Sequence, residues 1–252
     1  MRRPPFALLV PALLVGCRSQ PPARAPGPAD QASAAVSLDD LREGQRAHGF
    51  VAEVQYLDGR DRPIGARFRH QATGFVLDYL RIESAPQGFI WVNSMPTSDM
   101  GEPHTQEHLL LGKGDRGRKL GSVEAMALGE SSAFTDQWRT AYHFHTVAGA
   151  DAYWIVFENQ LDALLNPDYT DEEIRREVAH YGPAAGPGGA IVLEEKGTVH
   201  NEMVRTYEQP GRLAWRVATQ LVHGEGHPLA LESGGMPEDI RRMAPEHIRT
   251  FH

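Results

Sequence analysis

A single cysteine, Cys17, is all the thiol chemistry that this chain of 252 residues contains. One thiol cannot form an internal disulfide, which excludes a disulfide-stapled scaffold. Basic charge is also scarce, because 25 Lys and Arg stand against 33 Asp and Glu, for a formal net charge of −8. No basic block occurs along the chain, so the sequence predicts no nucleic-acid partner.

The N-terminus carries the features of an export signal. Arg2 and Arg3 precede an apolar stretch over 6–15, which is too short for a transmembrane helix of about 20 residues and predicts a signal peptide. Residues 14–17, LVGC, resemble a bacterial lipobox, so we expect 1–17 to be a lipoprotein signal and Cys17 to carry the lipid anchor. The alternative is an ordinary secretory signal with an incidental cysteine. Arg18 does not resemble an inner-membrane retention signal, which favours an outer-membrane address facing the periplasm in the cell envelope.

The rest of the chain divides by composition into a tether and a folded part. Residues 18–36 are rich in Pro, Ala and small polar residues, which predicts a flexible segment. Residues 37–252 are long enough for one domain with a sizeable core. Strand patterns come first and helical patterns are interleaved later, which predicts an α+β fold with a sheet covered by helices. The predicted strands are 49–57, 64–70, 74–82, 88–94, 132–135 and 140–146, and the predicted helices are 104–111, 118–128, 150–165, 171–180 and one or two within 194–222, after a loop over 183–189.

The pentapeptide HTQEH, residues 104–108, is the strongest chemical signal in the chain. On a helix, His104 and His108 lie one above the other, and Glu107 lies beside them. Two imidazoles on one turn can bind Zn²⁺, and a neighbouring carboxylate can take a proton from water that the metal polarises. A catalytic zinc normally has three protein ligands, and the candidates for the third are Glu194, Glu195 and Glu202.

Four runs of residues carry a family resemblance: GEPHTQEH at 101–108, SAFT at 132–135, KGTVHNEM at 196–203 and HPLALESGG at 227–235. With these runs in this order, the chain resembles the M16 (pitrilysin, or inverzincin) zinc metallopeptidases, and within them the presequence-protease branch, over roughly 49–252. The resemblance implies an M16-like (LuxS/MPP-like) N-terminal domain.

The resemblance implies a role for each residue of the metal site. His104, His108 and Glu202 correspond to the ligands of one zinc ion per chain, and Glu107 corresponds to the general base. Glu195, seven residues before Glu202, is expected either to hold a ligand histidine from the second shell or to be a solvated surface carboxylate.

The resemblance also implies a peptide-binding strand. In the family, the hairpin that matches Ser132, Ala133 and Phe134 offers its edge to an extended peptide. Ser132 departs from the asparagine that the family favours, which shortens the reach of its side chain. The alternative for this hairpin is plain packing, with Phe134 in the core. His143 and His145 alternate on the next predicted strand, and we expect them to be structural or exposed rather than ligands.

M16 enzymes enclose their substrate between two homologous halves, and this chain ends where the family continues with further strands of the first domain. A second M16 half or a sister subunit is therefore the expected partner, besides the peptide substrate. The predicted function is a zinc-dependent endopeptidase module that hydrolyses short unfolded peptides. The alternative is a non-catalytic envelope lipoprotein that binds peptides or a partner M16 subunit.

Overall fold

The computed structural model describes residues 37–252. The predicted signal peptide, the lipidation site Cys17 and the tether over 18–36 lie outside the described residues. Contacts divide the chain into two compact units, the first ending at Glu83 and the second being Ser84–His252. No helix in the described part of the chain combines the length and apolar character needed to cross a membrane.

The first unit contains a four-stranded antiparallel sheet with the order β1-β2-β3-β4. Its core is small and consists of Leu41, Ala52 and Ala66. Asp78 of the last strand forms a two-pronged ion pair with Arg67 of the neighbouring strand, at 2.9 and 2.8 Å. The strands are β1 Arg46–Ala47, β2 Phe50–Leu57, β3 Pro63–His70 and β4 Val76–Leu80.

A three-stranded antiparallel sheet forms the β layer of the second unit. Its strands β5 Gln87–Asn93, β6 Gly129–Thr135 and β7 Arg139–Thr146 lie in the order β5-β7-β6. Over 142–146 the side chains of β7 alternate as expected for a strand with one buried face: Tyr142, Phe144 and Thr146 are buried, and His143 and His145 are partly exposed. Within the described residues β6 pairs only with β7, so its other edge is open.

Helices cover the buried face of that sheet. The largest core cluster joins α1, α4, α5 and α8 to β7 through Leu109, Ile174, Val199, Ile248 and Tyr142. This arrangement confirms the predicted α+β fold. The helices in residues 37–252 are α1 Glu102–Leu110, α2 Gly114–Met126, α3 Ala150–Leu165, α4 Asp171–Val178, α5 Thr198–Tyr207, α6 Pro210–His223, α7 Pro237–Ile240 and α8 Pro245–Phe251.

A hairpin replaces the loop and the helix start that the sequence analysis predicted between residues 183 and 196. Strand β8 His180–Ala185 pairs with β9 Ile191–Lys196, and Pro187–Gly189 forms a single 3₁₀ turn between them. The β-branched start of β9 favours a strand, and the glycines permit the tight turn. The prediction of a helix from residue 194 was therefore wrong, and Glu194 and Glu195 lie on a strand.

Candidate metal centre

Helix α1 is a polar helix inside the core. Most of its residues are buried, including Glu102, Gln106 and Glu107. Some of its buried polar groups have internal partners: one oxygen of Glu102 accepts hydrogen bonds from the hydroxyls of Thr97 and Ser98 at 3.0 and 2.7 Å. Because buried polar groups are costly unless they are paired, this pattern marks a helix kept for its chemistry as well as for packing.

Three side chains converge beside this helix. The Nε2 atoms of His104 and His108 are 3.1 Å apart. Glu202, from α5, places its Oε1 3.5 Å from Nε2 of His104 and its Oε2 3.5 Å from Nε2 of His108. Among residues 37–252, these three form the one group of His, Cys, Asp or Glu side chains with the spacing needed to hold a metal ion.

The donor set fits a tetrahedral zinc ion. Ligand atoms about 2.0–2.1 Å from such an ion are about 3.3 Å from one another. The separation of 3.1 Å between the two nitrogens and the separation of 3.5 Å from each nitrogen to a different oxygen of Glu202 lie on either side of that value. Two imidazole nitrogens and a carboxylate oxygen are also ligands that zinc accepts, with a fourth position left for water.

The pKa values of the two histidines shift in opposite directions. Burial, followed by the charge of the neighbouring His108, lowers the pKa of His104. Burial also acts to lower the pKa of His108, but its hydrogen bond to Glu177 and the nearby carboxylates outweigh that effect and raise the pKa. Because metal ligands must be deprotonated, protons compete with a metal for the two histidines, and we expect binding to weaken in acid.

Glu177, on α4, is a functional candidate that the sequence analysis missed. Its Oε1 lies 3.0 Å from Nδ1 of His108, and its Oε2 lies 2.7 Å from Nζ of Lys113. Burial alone would raise the pKa of Glu177, but the hydrogen bonds from His108 and Lys113 lower it to about 2. The available signal was a carboxylate three residues after Ile174, on the apolar face of a predicted helix.

Glu195 does not contact either of the two histidines of the cluster. It forms a bidentate ion pair with Arg241 at 2.6 and 2.8 Å, and its Oε1 lies 3.6 Å from Nε2 of His200. The expectation that Glu195 holds a ligand histidine assumed a helical turn between it and Glu202. Since Glu195 lies on β9, the carboxylate in contact with a cluster histidine is Glu177 instead.

Glu107 is buried beside the cluster and is held by a strand. Its Oε2 accepts a hydrogen bond of 2.5 Å from the hydroxyl of Thr135, the last residue of β6. Thr135 in turn contacts the hydroxyl of Thr140 at 3.2 Å. Burial, and then the charge of Glu107, raises the pKa of Tyr142 far above its ordinary value. The Glu107 carboxylate therefore binds the end of β6 to the helix that carries His104 and His108.

The predicted peptide-binding residues lie on the open strand β6. Ser132 is exposed and Ala133 is half-buried against the core. Phe134 is 45% exposed and meets the ring of Trp91 edge-on at 5.7 Å, so the alternative of a core position for it is wrong. His143 stacks on Phe89 at 4.4 Å, outside the metal cluster.

Comparison with proteins of known structure identifies the fold. The chain aligns with the crystal structure of pitrilysin at a TM-score of 0.55 and 19% identity, over 81% of this chain and 21% of that one. An M16-like peptidase from Alicyclobacillus acidocaldarius aligns at a TM-score of 0.54 and 18% identity, over 74% and 41%. The fold is that of an M16 peptidase domain.

Sequence comparison agrees with the M16 fold. Presequence protease 1 of Arabidopsis thaliana is 31% identical over 193 residues, covering 73% of this chain and 17% of that protein. An uncharacterized protein of Saccharomyces cerevisiae is 28% identical over 191 residues, covering 74% and 18%. No protein-family model matches the chain. The aligned residues make up only 17 and 18% of these two relatives, so the chain spans about a sixth of their length.

Proposed function

We propose that this chain is a zinc-dependent endopeptidase module of the M16 family, and that it hydrolyses short unfolded peptides. The observation that carries the proposal is the convergence of His104, His108 and Glu202 within ligand distance, with Glu107 buried on the same helical turn. Catalytic zinc sites combine three protein ligands with a water position and a neighbouring general base. The similarity to presequence protease 1 supports the same class of reaction.

The residues present account for the chemistry of peptide hydrolysis. A zinc ion held by the three ligands would lower the pKa of water and polarise the peptide carbonyl. Oε2 of Glu107 is occupied by Thr135, which leaves Oε1 to take the proton from water. Glu107 then gives this proton to the leaving amine, so the general base becomes the general acid. Thr135 keeps the carboxylate oriented through both steps.

The open edge of β6 supports recognition of extended peptides. A peptide that pairs with this edge gains backbone hydrogen bonds, which are independent of side-chain identity. Ser132, Ala133 and Phe134 would line the added strand, and Thr135 would bring its end to Glu107. Only an unfolded segment can offer a free backbone to such an edge, which is the basis for proposing short unfolded peptides as the substrate class.

A second M16 half, from the same protein or a sister subunit, completes the proposed enzyme. This part of the proposal is supported by length, since the relatives are about five times longer than the aligned region. We further propose that Cys17 anchors the module to the outer membrane, facing the periplasm. The support for that address is the lipobox-like sequence LVGC at 14–17.

Metal content and peptide cleavage test the proposal together. Purified residues 18–252 should hold about one zinc per chain, Glu202→Ala should hold none, and Glu107→Gln should keep its zinc. Cleavage of an unstructured peptide, assayed with the second half present, should be abolished by a chelator and by Glu107→Gln. A folded wild-type chain without zinc would refute the metal site. Full biological function retained by Glu107→Gln would favour the non-catalytic peptide-binding alternative.

A further inference from the structure

The segment of residues 232–236, named here the ESGGM segment, is fastened to the residues that precede α1. The N–H of Glu232 donates to Oδ1 of Asp99 at 2.8 Å, and the N–H of Met236 donates to the carbonyl of Asp99 at 2.7 Å. One aspartate therefore binds both ends of the ESGGM segment, once with its side chain and once with its backbone.

The middle of the ESGGM segment lies between the two helices that carry the metal ligands. A Cβ atom added to Gly101, the N-cap of α1, would be 2.5 Å from the carbonyl oxygen of Gly234. A Cβ atom added to Gly234 would be 2.7 Å from Cε of Met203, on α5. Gly101 is three residues before His104, and Met203 directly follows Glu202. The contact at Gly101 is with backbone, which leaves no room for adjustment, whereas the contact at Gly234 is with the end of the flexible Met203 side chain.

A set of four charged side chains holds the ESGGM segment at this place. Arg216 of α6 donates two hydrogen bonds of 2.9 Å to the two carboxylate oxygens of Asp99. Glu232 accepts hydrogen bonds from Arg212, one turn earlier on α6, and from the hydroxyl of Tyr207 at the end of α5. The side chains of Glu232, Arg216 and Asp99 are only 6, 15 and 22% exposed. Together with Arg212, these side chains carry two negative and two positive charges, so the set has no net charge.

We propose that Asp99, Arg212, Arg216 and Glu232, named here the four-charge cluster, position α5 against α1 and thereby set the distance between Glu202 and the two histidines. The inference rests on the proposed zinc site and adds residues that do not themselves contact the metal. Buried ion pairs contribute little net stability compared with apolar packing, but they demand one geometry. A metal site needs its ligands within about 0.5 Å of their productive positions.

Measured zinc affinity is the direct test of positioning. Asp99→Asn and Arg216→Met should each weaken zinc binding by about 10- to 100-fold, the loss typical of residues that support metal ligands. The double variant should be no weaker than either single variant, because the two residues act as one pair. Asp78→Asn breaks the similar two-pronged pair with Arg67 in the first unit and should leave zinc affinity unchanged.

A spectroscopic readout separates positioning from general destabilisation. Co²⁺ bound in place of zinc should give the strong visible absorption of a tetrahedral site in the wild type. Weaker, shifted absorption should occur in Asp99→Asn, because Glu202 no longer reaches the ion. Arg216→Lys keeps the charge and one hydrogen bond, so it should recover part of the zinc affinity lost in Arg216→Met. Arg216→Lys is also the variant to compare with the wild type if Asp99→Asn fails to fold.

Two outcomes would overturn the inference. In the first, the Asp99→Asn chain folds and has the wild-type Co²⁺ spectrum and a zinc affinity within about twofold of Asp78→Asn. If only Arg216→Lys folds, the same result in that variant counts. The other is a loss of thermal stability in Asp99→Asn and Arg216→Met without any change in zinc affinity. Tight zinc binding by the wild type in either case would leave the proposed function intact. A wild-type chain that binds no zinc would overturn the proposed function and this inference together.

Discussion

Glu177 lies between His108 of the candidate metal site and the side chain of Lys113. One of its oxygens contacts His108 and the other contacts Lys113, although its side chain is only 6% exposed. A carboxylate on Nδ1 keeps the proton on that nitrogen and directs the lone pair of Nε2 toward the metal position. The low pKa of Glu177, about 2, keeps it charged over the whole physiological range.

Substitution of Glu177 is expected to weaken metal binding without removing a ligand. Glu177→Gln should raise the zinc dissociation constant by about 10- to 100-fold, because the orienting charge on His108 is lost. Glu195→Gln is the matched control, since Glu195 is paired with Arg241 and should leave zinc affinity within about twofold. Competition with a coloured chelator measures both. Equal losses in the two variants would contradict the assignment of Glu177.

Acid stability should depend on Glu173. Burial would raise its pKa, but hydrogen bonds from the backbone of Thr170, from Arg118 and from the N–H of Gly114 lower it to about 2, against an ordinary value of 4.5. The unfolded chain therefore takes up this proton first as the pH falls. The stabilisation is complete above 4.5 and is lost between 4.5 and about 2.

Thermal unfolding between pH 5 and pH 2.5 checks this expectation. Glu173→Gln can still cap α4 but does not titrate, so its unfolding temperature should fall less steeply with pH than that of the wild type. Glu172→Gln, at an exposed site paired only with Arg176 on the surface, should follow the wild-type curve. Parallel curves for Glu173→Gln and the wild type would contradict the pKa of about 2.

At the scale of the element, the start of α1 depends on a glycine. Gly101 has a φ of +81°, and a side chain there would meet the carbonyl of Gly234. Gly101→Ala should cost about 1–2 kcal/mol of backbone strain and about 1–3 kcal/mol of overpacking. Gly188 has a φ of +69° and open space around it, so Gly188→Ala should cost the strain alone. Urea unfolding of both variants measures the difference, and equal costs would show that the contact with Gly234 is unimportant.

Elements with a clear local signal were predictable from sequence. Helix α3 has the bounds that its apolar spacing predicts, and α1 begins two residues before its predicted start, with Pro103 in its first turn. The β8–β9 hairpin was missed because its strands contain Pro183, Gly182 and two glutamates, which read as a loop and a helix start. One wrong element was enough to misplace Glu195.

The candidate metal site was predictable only where its residues are close in sequence or lie in a motif. His104, Glu107 and His108 share one helical turn, so their proximity follows from local structure. Glu177 contacts His108 from 69 positions away, and Asp99 of the four-charge cluster contacts Arg216 and Glu232 from 117 and 133 positions away. Such contacts are decided by how helices pack, which a single sequence does not specify.

At the scale of the whole molecule, all the residues of the metal centre lie in the unit Ser84–His252. The hydrophobic core that supports α1 and α5 belongs to the same unit. A chain that begins at Ser84 should therefore fold and bind zinc with an affinity within about threefold of residues 18–252. Zinc titration of the two chains makes the comparison. A shortened chain that folds but has lost its zinc site would show that residues before Ser84 help to build it.

In the proposed enzyme, the open edge of strand β6 would also limit the length of peptide that can be paired. Its seven residues extend over about 23 Å, at about 3.3 Å per residue. Each residue of a peptide that lengthens along this edge can add backbone pairing until the strand is fully matched. Beyond that length, added residues find no further partner on this strand. Very short peptides would therefore escape by rapid dissociation, and longer ones would be retained until cleavage shortens them below the matched length.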